Sequence, residues 1–417
     1  MRLILKIFAV YLAVLDLPIY TLLVLMSIIA PRTLPLAVAA GCFFWVVRWL
    51  AFGRLTERTG IDMGVVLLVL MLPVSMWATA DPEITFPQVY RLLTGIFLYY
   101  SIVNWPRTDT RLRIIVFGVV LASLFLALFA AVSVEWYYEK LLFIPVSVYE
   151  RFVLLVQDTV HRNVMAGSLV ILLPITLGIL LFAWKEIHLW QRILLGLAAL
   201  VVLGMLVLTQ SRGAPLAFAG ISLLLIALRW RWGWLAILVS GVGVILLNIY
   251  IGIERSLEFI SSGVSLGGLE GRLEVWSRAL YMIQDFAFTG IGIGSFGPLA
   301  DILYPFFLSA PGSVPHAHNL ILQVAVDLGI PGLIAWLSII VVIISITWQI
   351  YCAGRIHGSG WMAGLGAGLL ISQVALLTHG LFDAVTWGMV RTAPLVWGIW
   401  GIAAAVANLY LSDRRPG

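Results

Sequence analysis

Apolar residues run along this chain in blocks, and polar residues collect between the blocks. A spanning helix needs about 20 mostly apolar residues to cross a hydrocarbon core. Blocks of that kind fall at roughly 7–30, 34–52, 62–80, 86–104, 112–134, 164–183, 192–210, 214–229, 233–251, 319–350, 361–382 and 386–411. The block at 214–229 is short, and the one at 319–350 is longer than one crossing, so it is expected to tilt or to extend beyond the bilayer. The pattern predicts an all-α integral membrane protein of about twelve transmembrane helices.

Composition supports that reading. Of 417 residues, 62% are hydrophobic and 11% charged, too few charges to hold a chain of this size in water. No long polar linker divides the blocks, so residues 1–417 read as a single polytopic domain. The net charge of +5 comes from arginines and lysines in short loops, without a basic patch interleaved with aromatics, so it does not suggest nucleic acid. Cys42 and Cys352 lie far apart in or beside apolar runs and suggest neither a disulfide nor a metal site. The apolar start at Leu3 lacks a small-residue cleavage site and reads as a retained first helix. Neither a Walker A loop nor a dinucleotide fingerprint is present, which argues against a nucleotide-driven pump or transferase.

Even-numbered loops and the termini carry Arg2, Lys6, Arg48, Arg54, Arg58, Arg107, Arg111, Arg113, Lys185, Arg192, Arg229, Arg231, Arg355, Arg414 and Arg415, while the short odd-numbered loops carry only Arg32, Arg91, Arg212 and Arg391. The positive-inside rule then places both termini in the cytoplasm. Two long loops fall on the other face. The first, about Glu135 to Asn163, mixes apolar and charged residues and reads as lying along the membrane surface. The second, residues 252–318, is expected to be a large periplasmic loop. Within it, Glu270 to Asp285 places Leu273, Trp276, Leu280 and Ile283 on one stripe, predicting an amphipathic helix packed over the bundle, and "GIGIGSF" (Gly290 to Phe296) follows as a flexible turn region. Long loops without a soluble domain tend to be functional.

Candidate chemistry gathers at the helix mouths on that face. Arg212, in "TQSRGAPL", either binds phosphate through its planar fork or closes a tight turn. Arg272, in "EGRLEVWSRAL", either binds an anion or is a solvated helix charge paired with Glu270 or Glu274. His316 and His318, in "SVPHAHNLILQ", precede a spanning block; a histidine there can take a proton from a hydroxyl, or the pair can line a turn that Asn319 caps. An HxH pair raises zinc, but no third ligand sits at metal spacing in the neighbouring sequence, so no metal is expected. Arg162 and Asn163 follow His161 before another block, and His379 and Asp383, four residues apart, share a helix face as substrate-binding groups or as a structural ion pair. Asp16 sits mid-helix before Pro18 and receives no role.

The order of these pieces resembles the O-antigen ligase/polymerase family of bacterial envelope enzymes. The matching residues are "SRGA" at Ser211 to Ala214, Gly271-Arg272 followed by Trp276, "TGIGIGSF" at Thr289 to Phe296, and "HAHN" at His316 to Asn319 continuing to Gly329-Ile330-Pro331-Gly332. The likeness runs roughly from Asn163 to Asp383. It implies a GT-C-like glycosyltransferase architecture in the bacterial inner membrane with the active site facing the periplasm. It further implies transfer of a glycan from undecaprenyl pyrophosphate to a sugar hydroxyl of lipid A-core, by metal-independent inverting chemistry without cofactor, nucleotide or nucleic acid. His318 would be catalytic and Arg212 and Arg272 would bind the donor pyrophosphate, with His316, Asn319, Arg162 and Asp383 as supporting candidates. An O-antigen polymerase shares the motifs and remains the alternative. A lipid-linked oligosaccharide transporter is the alternative from another class, although polar residues gathered at one face favour chemistry over a through-pathway.

Overall fold

The computed structural model describes residues 2–105, 107–136, 144–155, 159–211, 213–252, 269–388 and 390–411. Every apolar block forms a helix: α1 (Arg2–Val14), α2 (Asp16–Ile29), α3 (Leu34–Phe52), α4 (Asp62–Ala78), α5 (Pro82–Asn104), α6 (Asp109–Ser133), α7 (Val146–Tyr149), α8 (Arg162–Phe182), α9 (Leu189–Leu208), α10 (Gly213–Arg229), α11 (Trp234–Ile251), α12 (Leu269–Asp285), α13 (Phe296–Leu303), α14 (Leu320–Ile356), α15 (Gly360–Gly380) and α16 (Pro394–Tyr410). The described residues form no strand; Val134 and Val160 meet in an isolated parallel bridge. This is an all-α, multi-pass membrane protein. Among the described residues seven helices are long and apolar enough to cross a bilayer, or eight if α1 and α2, bent by 47°, count as one span; α4, the later part of α10 and α16 are shorter apolar helices.

The centre of the bundle is α8 against α15, with α14 on the other side of α15. Lipid offers little driving force for helices to associate, so close backbone approach must come from small residues. Gly368 supplies it: a Cβ there would sit 2.7 Å from the Ile175 Cα atom. Helix α11 has no buried residue and packs along α10, so most of its apolar side chains face lipid.

One end of the bundle is basic. Its arginines lie over aromatic rings: Arg107 over Phe52 (4.7 Å), Arg111 over Trp105 (5.2 Å), Arg113 over Trp361 (4.3 Å) and Arg192 over Trp184 (5.1 Å). Arginine and tryptophan together mark a membrane–water boundary. Asp16, which the sequence left without a role, is buried near this end. It pairs with Arg48 and accepts a hydrogen bond from Ser101.

Four expectations change at the opposite end. The 319–350 block is not one straight helix, because α14 breaks at Gly329 (φ 68°, ψ −177°). The break lets the glycine-rich segment lie against it: Ile291 N–H donates to Val326 O (2.9 Å) and Ile330 N–H to Ala287 O (2.7 Å). The predicted turn region is thus held rigidly, and Ser75 and Thr85 also bond the backbone of Ile293. The amphipathic helix exists as α12, but its buried stripe is Gly271, Val275, Ala279 and Met282, while Leu273 and Leu280 are half exposed. Both stripes have helical spacing. Small residues won because α12 lies close against α14. The last block starts late. Residues 386–388 and 390–393 are non-helical, with Gly388 at φ 44° and Pro394 opening α16.

The kink at Gly329 needs glycine twice, for its dihedrals and because a Cβ would lie 2.8 Å from Ala287 O. Gly329→Ala is expected to cost about 2 kcal/mol or more, read as a lowered melting temperature in detergent. Gly118→Ala, where a Cβ meets nothing within 4 Å, is the control and should not lower it. Equal melting of Gly329→Ala and the parent would show that the kink is not required.

Candidate active site

Three segments converge at the end opposite the arginine belt. The first is the turn from Pro315 to Asn319. Asn319 caps α14, its Oδ1 accepting from Ile321 N (3.0 Å) and Leu322 N (3.1 Å). Its Nδ2 also donates to Leu381 O (3.3 Å), so the cap is tied to the second segment, residues 381–393 after α15. The third is α12, where Arg272 donates to Phe382 O (3.1 Å) with its guanidinium 5.9 Å from the Phe382 ring centre.

The carboxylate of Asp383 lies where these meet. His318 Nδ1 is 3.3 Å and His316 Nε2 is 3.5 Å from the same Asp383 Oδ1, and the two imidazoles are 4.1 Å apart centre to centre. His316 Nδ1 accepts the backbone N–H of His318 (3.2 Å). A neutral imidazole with an accepting Nδ1 carries its proton on Nε2, so His316 turns an N–H to Asp383. His318 faces Asp383 through Nδ1, which leaves its Nε2 for another partner. His318 has φ 46°, a conformation uncommon outside glycine, and its turn is fixed because Gln323 Oε1 accepts from the neighbouring Ala317 N–H (2.7 Å).

Burial, with His318 adding to it and Asp383 opposing it, lowers His316 to about 4, so this ring is neutral at physiological pH. Burial alone would raise Asp383. The hydrogen bond from His318 and the fields of His316, His318 and His379 outweigh it and hold Asp383 well below the ordinary carboxylate range. Burial lowers Arg272, and Asp383 offsets part of that.

The structure therefore brings together His316, His318, Asn319, Arg272 and Asp383. The pairing of Arg272 with Glu270 or Glu274 is not found. Glu274 instead pairs with Arg278 (3.6 Å) and accepts from Phe307 N and Leu308 N. His379 and Asp383 are both buried, but α15 ends at Gly380, so they do not share a helix face; Asp383 N–H donates to His379 O (3.1 Å), while the Asp383 carboxylate meets His316 and His318. Arg162 opens α8 beside its cap His161, which is near enough to act on His316. Arg212 lies outside the described residues, as do residues 253–268 of the long loop. Sequence spacing offered no third metal ligand, but folding supplies one: ligand atoms of His316, His318 and Asp383 lie within 4.8 Å of one another.

Two residues went unrecognised in the sequence. Asp327, fully buried, accepts from Gly294 N–H (3.1 Å), Gln323 Nε2 (2.9 Å) and Trp387 Nε1 (2.9 Å). Arg91, also buried, donates to Gly388 O (2.8 Å). The signal for Asp327 was an ionisable residue inside an apolar helix.

The cluster makes the fold acid-sensitive. His316 binds its proton near pH 4 when folded and near 6.5 otherwise. Between those values the unfolded chain binds more protons, so stability present above pH 6.5 is lost as the pH falls to 4. Asp383, with a depressed folded value, acts in the same direction at lower pH. The His316 contribution is at most about 3 kcal/mol. Melting temperature should fall from pH 6.5 to 4, and His316→Gln should flatten that fall. Parallel slopes for parent and variant would show that another group titrates.

Residues 196–337 match the family model described as O-antigen ligase, which is roughly a third of the chain. The matched range contains Arg212, Arg272 and the two histidines, while Asp383 lies beyond it and reaches the site through folding. No curated protein matches. The likeness supports a glycan-transferring function of the O-antigen ligase/polymerase type for this membrane protein.

Proposed function

We propose that the chain is an O-antigen ligase that transfers a glycan from undecaprenyl pyrophosphate to a sugar hydroxyl of lipid A-core. In this reading about twelve spans cross the inner membrane, both termini are cytoplasmic, and the histidine end with the 252–318 loop faces the periplasm. The observation that carries it is the His318–Asp383 contact with Arg272 beside it, at the end of the bundle opposite the arginine belt.

His318 Nε2 takes the proton of the acceptor hydroxyl as its oxygen attacks the anomeric carbon. The bond from that carbon to the pyrophosphate oxygen breaks, and the electron pair leaves with undecaprenyl pyrophosphate. Direct displacement inverts the anomeric centre. Asp383 holds the imidazole in the tautomer that leaves Nε2 able to accept, and stabilises the imidazolium as it forms. His316, neutral and donating to the same carboxylate, positions it. Arg272 and Arg212 meet the charge growing on the pyrophosphate, with Arg162 in support, and Asn319 fixes the turn. Two guanidiniums supply the positive charge that a metal would bring, so transfer is metal-independent.

Purified protein given undecaprenyl-pyrophosphate glycan and lipid A-core should form glycan on lipid A-core, with or without a chelator. Longer glycan left on undecaprenyl pyrophosphate would make it a polymerase, loss of activity with chelator would make the His–His–Asp cluster a metal site, and no product would favour a transporter. In that assay His318→Ala should lower the rate by at least about 100-fold while donor still binds. Full activity in that variant would remove His318 from the chemistry.

Arg272→Lys and Arg212→Lys keep the charge and lose the fork. Each is expected to lower kcat/KM by roughly ten-fold or more. Parent-like kinetics in either would make that arginine a topology residue.

A further inference from the structure

The basic end holds a cavity of about 150 Å³ between α1, α2, α3, α5 and the start of α6. Its walls carry four arginines (Arg48, Arg54, Arg107 and Arg111) against two carboxylates, Asp16 and Glu57. Both carboxylates are engaged. Asp16 uses one oxygen for Arg48 and the other for Ser101, and Glu57 pairs with Arg54. Arg107 and Arg111 pair with no carboxylate among the described residues. Their flat faces lie on Phe52 and Trp105 instead, and Trp105 is itself pinned by donating Nε1–H to Val14 O (3.0 Å).

A second cavity, about 690 Å³, shares Arg54, Glu57, Asn104 and Arg107 with the first and adds Arg58. An independent sign comes from inside. Arg48 is 2% exposed, and its Nε has no hydrogen-bond partner among the described residues, although it lines the cavity. A buried guanidinium donor left unpaired is costly unless an acceptor arrives. Guanidinium matches phosphate oxygens through parallel N–H donors; stacking on a ring does not use those in-plane donors, and Arg111 commits one nitrogen, at 3.5 Å, to Trp105 O.

We propose that this cavity binds the phosphodiester headgroup of an anionic membrane lipid, with Arg107 and Arg111 as the principal ligands and Arg48 as the inner donor. The walls favour a lipid over free phosphate: Val10, Ala13, Val14 and Phe52 give an apolar margin on which an acyl chain can lie, at the level of the arginine–aromatic belt. The site is far from the histidine end, since α6 begins at the cavity and finishes beneath the first long loop. It does not rest on the reaction proposed above.

The test uses the full chain in a neutral detergent. Phosphatidylglycerol, phosphatidylcholine or inorganic phosphate is titrated in, and the melting temperature and bound lipid by native mass spectrometry are read. Phosphatidylglycerol should bind and raise the melting temperature, and phosphatidylcholine should do neither at equal concentration. Each arginine removed should weaken phosphatidylglycerol by about five-fold, the change that roughly 1 kcal/mol corresponds to, and the pair Arg107→Gln with Arg111→Gln should weaken it by more than ten-fold. Arg113→Gln, at the same end but paired with Asp109, should leave binding unchanged. The singles Arg107→Gln and Arg111→Gln carry the test if the double variant does not fold. Equal binding of phosphatidylcholine, an Arg113→Gln loss as large as the others, or parent-like binding by the singles would overturn the proposal. Saturation by inorganic phosphate with no further effect of phosphatidylglycerol would reassign the cavity to a free anion.

Discussion

The carboxylate of Asp327 accepts three hydrogen bonds, and each comes from a different part of the outer architecture. Gly294 brings the glycine-rich segment, Trp387 brings the non-helical stretch after α15, and Gln323 passes the tie to the backbone of Ala317, between the two histidines. In an apolar bundle a buried carboxylate without partners would be very costly. The cheapest arrangement for Asp327 is the one that gathers these three segments together. Two of them carry the site, so the contact of His318 with Asp383 depends on a group that touches neither.

Rigidity at this end has a use in the reaction proposed for it. A base is effective only when held within hydrogen-bond reach of the proton it removes and in the right tautomer. His318 is a single, largely buried side chain on a turn, with a backbone conformation that L-residues seldom adopt. Such a turn persists only where its surroundings determine it. Here Asn319 caps the following helix and reaches Leu381, Gln323 holds Ala317, and His316 takes up the His318 N–H. The strain is local and its supports are distributed over α14, α15 and the segment between α15 and α16.

Much of this was legible in the sequence, and the failures have physical causes. Apolar block length predicted where the long apolar helices lie, because bilayer thickness sets it, but not the 47° bend that divides the first block into α1 and α2. The histidine pair and the Asn319 cap were readable because they are local, whereas α15 ends at Gly380, before the helix face that the His379–Asp383 spacing implied is complete. The buried stripe of α12 was not. Hydrophobicity favoured Leu273 and Leu280, while close packing against α14 selected Gly271 and Ala279. The kink at Gly329 and the third partner of the histidines were invisible for the same reason: each is settled by a contact across more than 35 residues of sequence. Asp327 could have been flagged by its setting, but its three donors could not.

The two ends of the molecule solve opposite electrostatic problems. At the basic end guanidiniums outnumber carboxylates in a shared cavity, and aromatic faces stand in for the missing acids. At the histidine end a carboxylate is kept ionised by imidazoles rather than by a cation held permanently against it. Were Arg272 locked onto Asp383 as a salt bridge, its fork would be spent. It donates to the Phe382 carbonyl instead, with one nitrogen, while Asp383 is satisfied by the histidines. In the proposed reaction that division leaves a guanidinium and an imidazole Nε2 with capacity to spare, the one for a departing phosphate and the other for an arriving hydroxyl. His316 makes the division possible, because a neutral ring with an N–H to offer can satisfy a carboxylate without cancelling its charge.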